Sequence, residues 1–87
     1  MPRISFFYGI TITMYWDESH HGRPDFHARY GEYRASLDLT GEIIVGDLPR
    51  RQLRLVQAWA GLHTDELRAD WDLALSEYPL NPIDPLR

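Results

Sequence analysis

The chain predicts an α+β domain, a mainly antiparallel sheet of four or five strands followed by two helices packed on one face of the sheet. Three observations carry this. Up to about residue 46 the apolar residues recur every second position in short runs rich in β-branched and aromatic side chains. From Pro49 the period changes to about three and a half, the signature of an amphipathic helix. Between the short runs stand Tyr8-Gly9, Gly31 and Leu39-Thr40-Gly41-Glu42, which read as tight turns.

Taken in order, Ile4 to Phe7 and Ile10 to Trp16 form the first hairpin. In the second run Ile10, Ile12, Met14 and Trp16 share one face, while Thr11, Thr13 and Tyr15 share the other. Residues 17–24 lack a hydrophobic period and carry a glycine and a proline, so they predict an exposed loop. Phe26, Ala28 and Tyr30 then alternate with Asp25, His27 and Arg29. After Gly31, Tyr33, Ala35 and Leu37 alternate with Arg34, Ser36 and Asp38, and Ile43 to Val45 adds a short last strand.

The first helix follows Pro49, with Leu53, Val56 and Ala60 as its apolar stripe and Leu55, Trp59 and Leu62 widening it. Thr64-Asp65-Glu66 reads as the start of a second helix, its acids near the positive end of the dipole. That helix is expected to bury Leu67, Trp71, Ala74, Leu75 and Tyr78. The last nine residues hold three prolines and cannot continue it, so Leu80, Ile83 and Leu86 are laid along the domain or offered to a partner. The expected organisation is one domain over 1–87, with a sheet at about 4–46, helices at about 49–77 and an extended tail at 79–87.

Composition narrows the function. Eighty-seven residues, 44% of them hydrophobic, suffice for one core, and the chain is expected to fold alone or as a small homo-oligomer. Absence of cysteine removes disulfides and thiolate zinc sites. The longest apolar stretch is interrupted within a few residues and Met1-Pro2-Arg3 leads straight into strand-like sequence. A cytoplasmic protein with no membrane segment is therefore expected. A net charge of −4 argues against nucleic acid as the partner unless a local basic patch exists. All nine basic residues are arginine, the better residue for bidentate anion contacts.

Several groups of residues together resemble a known bacterial family. They are Ser5-Phe6-Phe7-Tyr8-Gly9-Ile10, Pro24-Asp25-Phe26-His27-Ala28, and Leu48-Pro49-Arg50-Arg51 followed by Leu53, Leu55, Trp59, His63, Glu66, Leu67 and Trp71. In order and spacing these resemble the family catalogued as domain of unknown function 4160, from about Met1 to Leu75. The usual family pattern is Pro-His-Phe-His; the first of those histidines is Asp25 here. The resemblance implies a small cytoplasmic bacterial protein with a sheet followed by helices. It also implies a gene beside that of another small protein, in an arrangement similar to toxin–antitoxin pairs, and no established activity.

Three groups of residues are candidate sites. His20, His21, Asp25 and His27 form the first: Asp25 and His27, two apart on a strand, project together, and loop histidines folding over them would suit zinc or manganese. The plainer account is ordinary polar groups on the exposed side of a sheet. Arg50, Arg51 and Arg54 form the second, an anion or phosphate site at the start of the first helix. Pairing with Asp47, Glu42 or other acids, or a solvated face, is the plainer account there. The third is the outward sheet face, Thr11, Thr13 and Tyr15 beside Asp25, His27 and Arg29 and then Arg34, Ser36 and Asp38.

No serine stands in a glycine-elbow context, and no glycine-rich phosphate loop is present. The leading expectation is therefore a non-catalytic interaction domain that works with a small partner protein, within a toxin–antitoxin-like pair. The rival is a metal-dependent hydrolase or nuclease using His20, His21, Asp25 and His27, with the three arginines holding phosphate. A cofactor is expected only under that rival, as a divalent metal.

Overall fold

A computed structural model describes residues 3–15 and 23–87. Five strands, β1 (Arg3–Phe7), β2 (Ile10–Thr13), β3 (Phe26–Tyr30), β4 (Tyr33–Leu37) and β5 (Ile43–Gly46), form one antiparallel sheet in chain order. Two helices follow, α1 (Arg50–Leu62) and α2 (Thr64–Leu75). The expected fold class is the one observed. No helix among the described residues is long and apolar enough to cross a membrane.

Local chemistry fixes the turns. The first hairpin needs φ > 0 at both central residues to match the right-handed strand twist, and Tyr8 (φ 49°) and Gly9 (φ 79°) supply it. After β4, one carboxylate oxygen of Asp38 accepts from the Thr40 amide, the Thr40 hydroxyl and the Glu42 amide, closing the turn into β5. Burial opposes ionisation of Asp38, yet these hydrogen bonds and the nearby Arg23 hold its pKa below the usual carboxylate value.

The core lies between the sheet and the helices. Ile10, Ile12, Met14, Phe26, Ala28, Ala35 and Leu37 are buried on the inner side, as their alternation predicts. Val56, Trp59 and Ala60 come from α1, and Leu67, Trp71 and Ala74 from α2. Trp59 has no exposed surface. Its ring lies 5.4 Å from Phe7 of β1 and 5.7 Å from Phe26 of β3, centroid to centroid, and its Nε1–H donates to the Asp84 carbonyl at 2.8 Å.

The tail runs along the domain. Ile83 is buried, its N–H donates to the Ile4 carbonyl on edge strand β1 at 2.7 Å, and the Asn81 N–H donates to Asp70 Oδ1 at 2.9 Å. Leu80 and Leu86 pack against the core as partly buried side chains.

Three side chains expected in the core lie outside it. Leu62 is 71% exposed because it sits roughly 110° round α1 from the centre of the Val56–Trp59–Ala60 stripe, at 100° per residue. Leu75 and Tyr78 are exposed because α2 ends a turn earlier than its apolar pattern suggests. Glu77 adopts φ 58° and donates to the Ala74 carbonyl, while the Tyr78 N–H reaches back to Leu73, a Schellman ending that turns the chain away. The inner face of α2 instead takes in Asp70, 1% exposed. Burial raises the pKa of this carboxyl, the Asn81 hydrogen bond opposes the rise, and Glu66 adds to it. Among the described residues Asp70 Oδ2 has no hydrogen-bond partner.

Trp59→Ala is expected to cost about 3–5 kcal/mol, much of what holds a domain of this size together. Trp59→Phe, which keeps a ring but not the indole N–H, should cost about 1–3 kcal/mol in urea unfolding. It should also speed hydrogen exchange of the Ile83 amide more than that of amides within β2 or β3. For Asp70 the folded pKa lies above the unfolded one, so between the two values the folded state holds more protons. Stability supplied by this site therefore falls as pH rises from about 4 through the raised pKa. The stability of Asp70→Asn relative to the wild type should increase across that window, and a constant difference would contradict it.

Candidate functional site

No described element covers the side of the sheet turned away from the helices, and a groove of about 690 Å³ runs across it. Strand register assembles its side chains in two rows. Arg3, Thr13, His27, Ser36 and Val45 pair in sequence across all five strands, and beside them Phe6, Thr11, Arg29 and Arg34 pair across four. Alternation brings most of these to one face because their neighbours Ile12, Ala28, Ala35 and Leu37 are pulled into the core.

Both edge strands carry an irregularity that changes which side chains face the groove. In β1 the register slips between Arg3 and Ser5, so that Ile4 is the extra residue and Arg3 pairs with Thr13. An unbroken strand would put Arg3 on the same side as Ser5 and Phe7, against the core; the bulge re-aims it into the groove. Its guanidinium lies over the Phe6 ring, 5.7 Å from the centroid. In β5 the slip between Ser36 and Leu37 leaves Val45 opposite Ser36 and 67% exposed. Gly46 closes the groove beside it, at φ 89°, where an added Cβ would lie 2.2 Å from the Arg34 carbonyl oxygen.

Near the groove's His27, polar groups interlock. The Asp25 side chain is 2% exposed and accepts the Ser36 hydroxyl at 2.9 Å; His27 Nε2 stands 3.6 Å from the same carboxylate oxygen. The His27 ring meets Tyr15 edge-on at 4.9 Å. Asp25 and His27 thus lie close together, but Asp25 precedes β3 and is buried, not exposed on the outward sheet face where the sequence placed it, because its carboxylate turns in to accept from Ser36. His20 and His21 lie outside the described residues, among which no group of three or more His, Cys, Asp or Glu could hold a metal ion.

Among the described residues that line the groove the charge is one-sided. Arg29 and Arg34 are directly opposite one another on β3 and β4, both exposed, and neither forms an ion pair among the described residues. Arg3 adds a third cation, the described residues that line the groove include no carboxylate, and the nearby Asp25 is buried and bonded to Ser36.

Arg50, Arg51 and Arg54 occupy the first turns of α1, exposed, with Pro49 as N-cap and no acidic residue in the first turn. The pairing with Asp47 or Glu42 is not formed: Asp47 Oδ1 accepts the Leu48 amide. These arginines do not line the groove.

Compared with known protein families, residues 9–72 match the one described as Domain of unknown function (DUF4160). The chain belongs to this family. No curated protein and no solved structure matches it. The DUF4160 stretch takes in β2 to β5, α1 and the part of α2 that carries Leu67 and Trp71, and so includes Trp59, Arg29 and Arg34. Strand β1, with Arg3, and the tail that covers its edge fall outside the matched stretch.

Reading the sequence missed Arg3, Val45 and Gly46 as groove residues. A signal for Arg3 was present: Ile4, Phe6 and Phe7 are apolar but Ser5 is not, a run that no unbroken period of two can place.

Gly46→Ala should destabilise the fold by about 2–4 kcal/mol in urea unfolding, since it combines a left-handed φ with a backbone clash. A neutral outcome would mean that β5 does not pair with β4 in this register.

Proposed function

We propose that this chain is a non-catalytic interaction domain that binds a small partner protein through the outer face of its sheet, the two acting as a pair of the toxin–antitoxin kind. The groove across that face is the observation that carries the reading. It joins a hydrophobic rim at Val45 to hydroxyl and guanidinium donors on a rigid sheet, the mixture that protein interfaces use. Ser36 is not arranged as a histidine-activated nucleophile, because its hydroxyl donates a hydrogen bond to Asp25 and not to His27. The gene arrangement implied by the family resemblance favours a small protein as the occupant.

A second reading has one observation in its favour. Asp25 and His27 place a carboxylate oxygen and an imidazole nitrogen 3.6 Å apart, two of the four groups a metal-dependent hydrolase or nuclease would draw from His20, His21, Asp25 and His27.

Co-expression with the product of the adjacent gene tests the first reading. The two proteins should co-purify as a defined complex, and Thr13→Trp, which fills the groove from β2, should abolish the complex while leaving the circular dichroism spectrum intact. Absence of a complex with the wild type would sink the reading. Metal analysis of untagged protein runs alongside: near-stoichiometric zinc or manganese, lost in His27→Ala, would transfer the assignment to the hydrolase.

A further inference from the structure

We propose that the groove takes an acidic, extended segment of the partner chain, its carboxylates held by Arg29 and Arg34. This rests on the partner-binding reading and specifies the chemistry of the partner. The argument starts from a local cost. Like charges directly opposite on neighbouring antiparallel strands repel, and nothing among the described residues neutralises the Arg29–Arg34 pair. Arg3 lines the same groove, brought there by a bulge. Cationic groups left uncompensated in a groove whose described lining residues include no carboxylate are what an anionic ligand completes, and guanidinium groups bind carboxylates bidentately.

Geometry selects an extended chain. Side chains directly opposite on paired strands stand about 5 Å apart at Cβ, and alternate residues of an extended segment project to one side about 7 Å apart. Acidic residues at i and i+2 therefore reach Arg29 and Arg34 together, while the intervening residue faces away.

Nucleic acid fits less well. The chain carries 13 acidic against 9 basic residues, so a long polyanion leaving the groove meets repulsion where a short acidic segment does not. Among the described residues the aromatic rings beside the groove are already engaged, Phe6 beneath Arg3 and Tyr15 edge-on to His27.

The test uses fluorescence anisotropy of a labelled ten-residue peptide of alternating Glu and Thr, with alternating Lys and Thr and a decathymidine strand as controls. The full chain should bind the Glu-Thr peptide, more weakly as salt rises, and bind neither control. Arg29→Ala and Arg34→Ala should each weaken binding about ten-fold or more, the value of one charge-assisted hydrogen bond. The triple change Arg50→Ala, Arg51→Ala, Arg54→Ala should leave it unaltered. Arg34→Glu should abolish binding yet raise Tm by about 1–4 °C, since it turns a repelling cross-strand pair into an attracting one. No binding of the Glu-Thr peptide, binding indifferent to Arg29 and Arg34, or preference for decathymidine would each overturn the inference. A co-purified complex that survives Arg34→Glu also overturns it and leaves the partner-binding reading standing; failure of the wild-type complex removes both.

Discussion

The burial of one indole holds the parts of this molecule in register. Trp59 touches Phe7 and Phe26 on two different strands, sits on α1, and fastens the tail through the Asp84 carbonyl. The inner side of the sheet provides mainly short or aliphatic side chains around it, Ile10, Ile12, Ala28 and Ala35 among them, so a large planar residue is needed to fill the space between the layers. Its N–H would be costly to bury without an acceptor, and the tail provides that acceptor. The tail in turn covers part of the exposed edge of β1 through Ile83 and Ile4. Prolines at 79, 82 and 85 suit this role, because the segment needs only a few N–H groups and a fixed extended path.

Much of this was legible from residue order. Period-two alternation in Ile10 to Met14 and Phe26 to Tyr30, and the glycine-bearing turns, give a meander whose register then follows from which face is apolar. Illegible were the places where a backbone hydrogen bond outweighs the hydrophobic period. The Schellman ending at Glu77 cuts α2 short and leaves Leu75 and Tyr78 exposed, although glycine, the usual signal for such an ending, is missing. Asp70 lies among apolar neighbours for a related reason. It accepts an amide from the tail, a partner distant in sequence, so a pattern read along α2 counts it as polar and places it outside.

The candidate site divides in the same way. Asp25 stands just before β3 and His27 is the second residue of that strand, two apart in sequence, and this short separation lets their side chains meet. The cationic rows come together across strands, and there a one-residue slip decides the outcome. Without its bulge β1 would point Arg3 at the core; with it, the two edge strands frame a groove and the central strands provide its floor. A net charge of −4 averages over the whole surface and hides a groove whose described lining carries three exposed arginines and no carboxylate.

That segregation bears on why the face is arranged as it is. For stability alone an acid opposite Arg29 would be better than Arg34, and the sequence contains 13 acids that could have stood there. A protein can carry such a local cost when the rest of the fold covers it, here through the Trp59 core and the stapled tail, and costs of this kind gather where a molecule works. The Arg50–Arg51–Arg54 group is a weaker case. Long side chains at an exposed helix start can extend into solvent and dilute their unfavourable interaction with the dipole. Arg29 and Arg34 spring from positions held directly opposite on paired strands, so part of their repulsion persists in any rotamer, and an anionic segment that comes to meet them accounts for it better than tolerance.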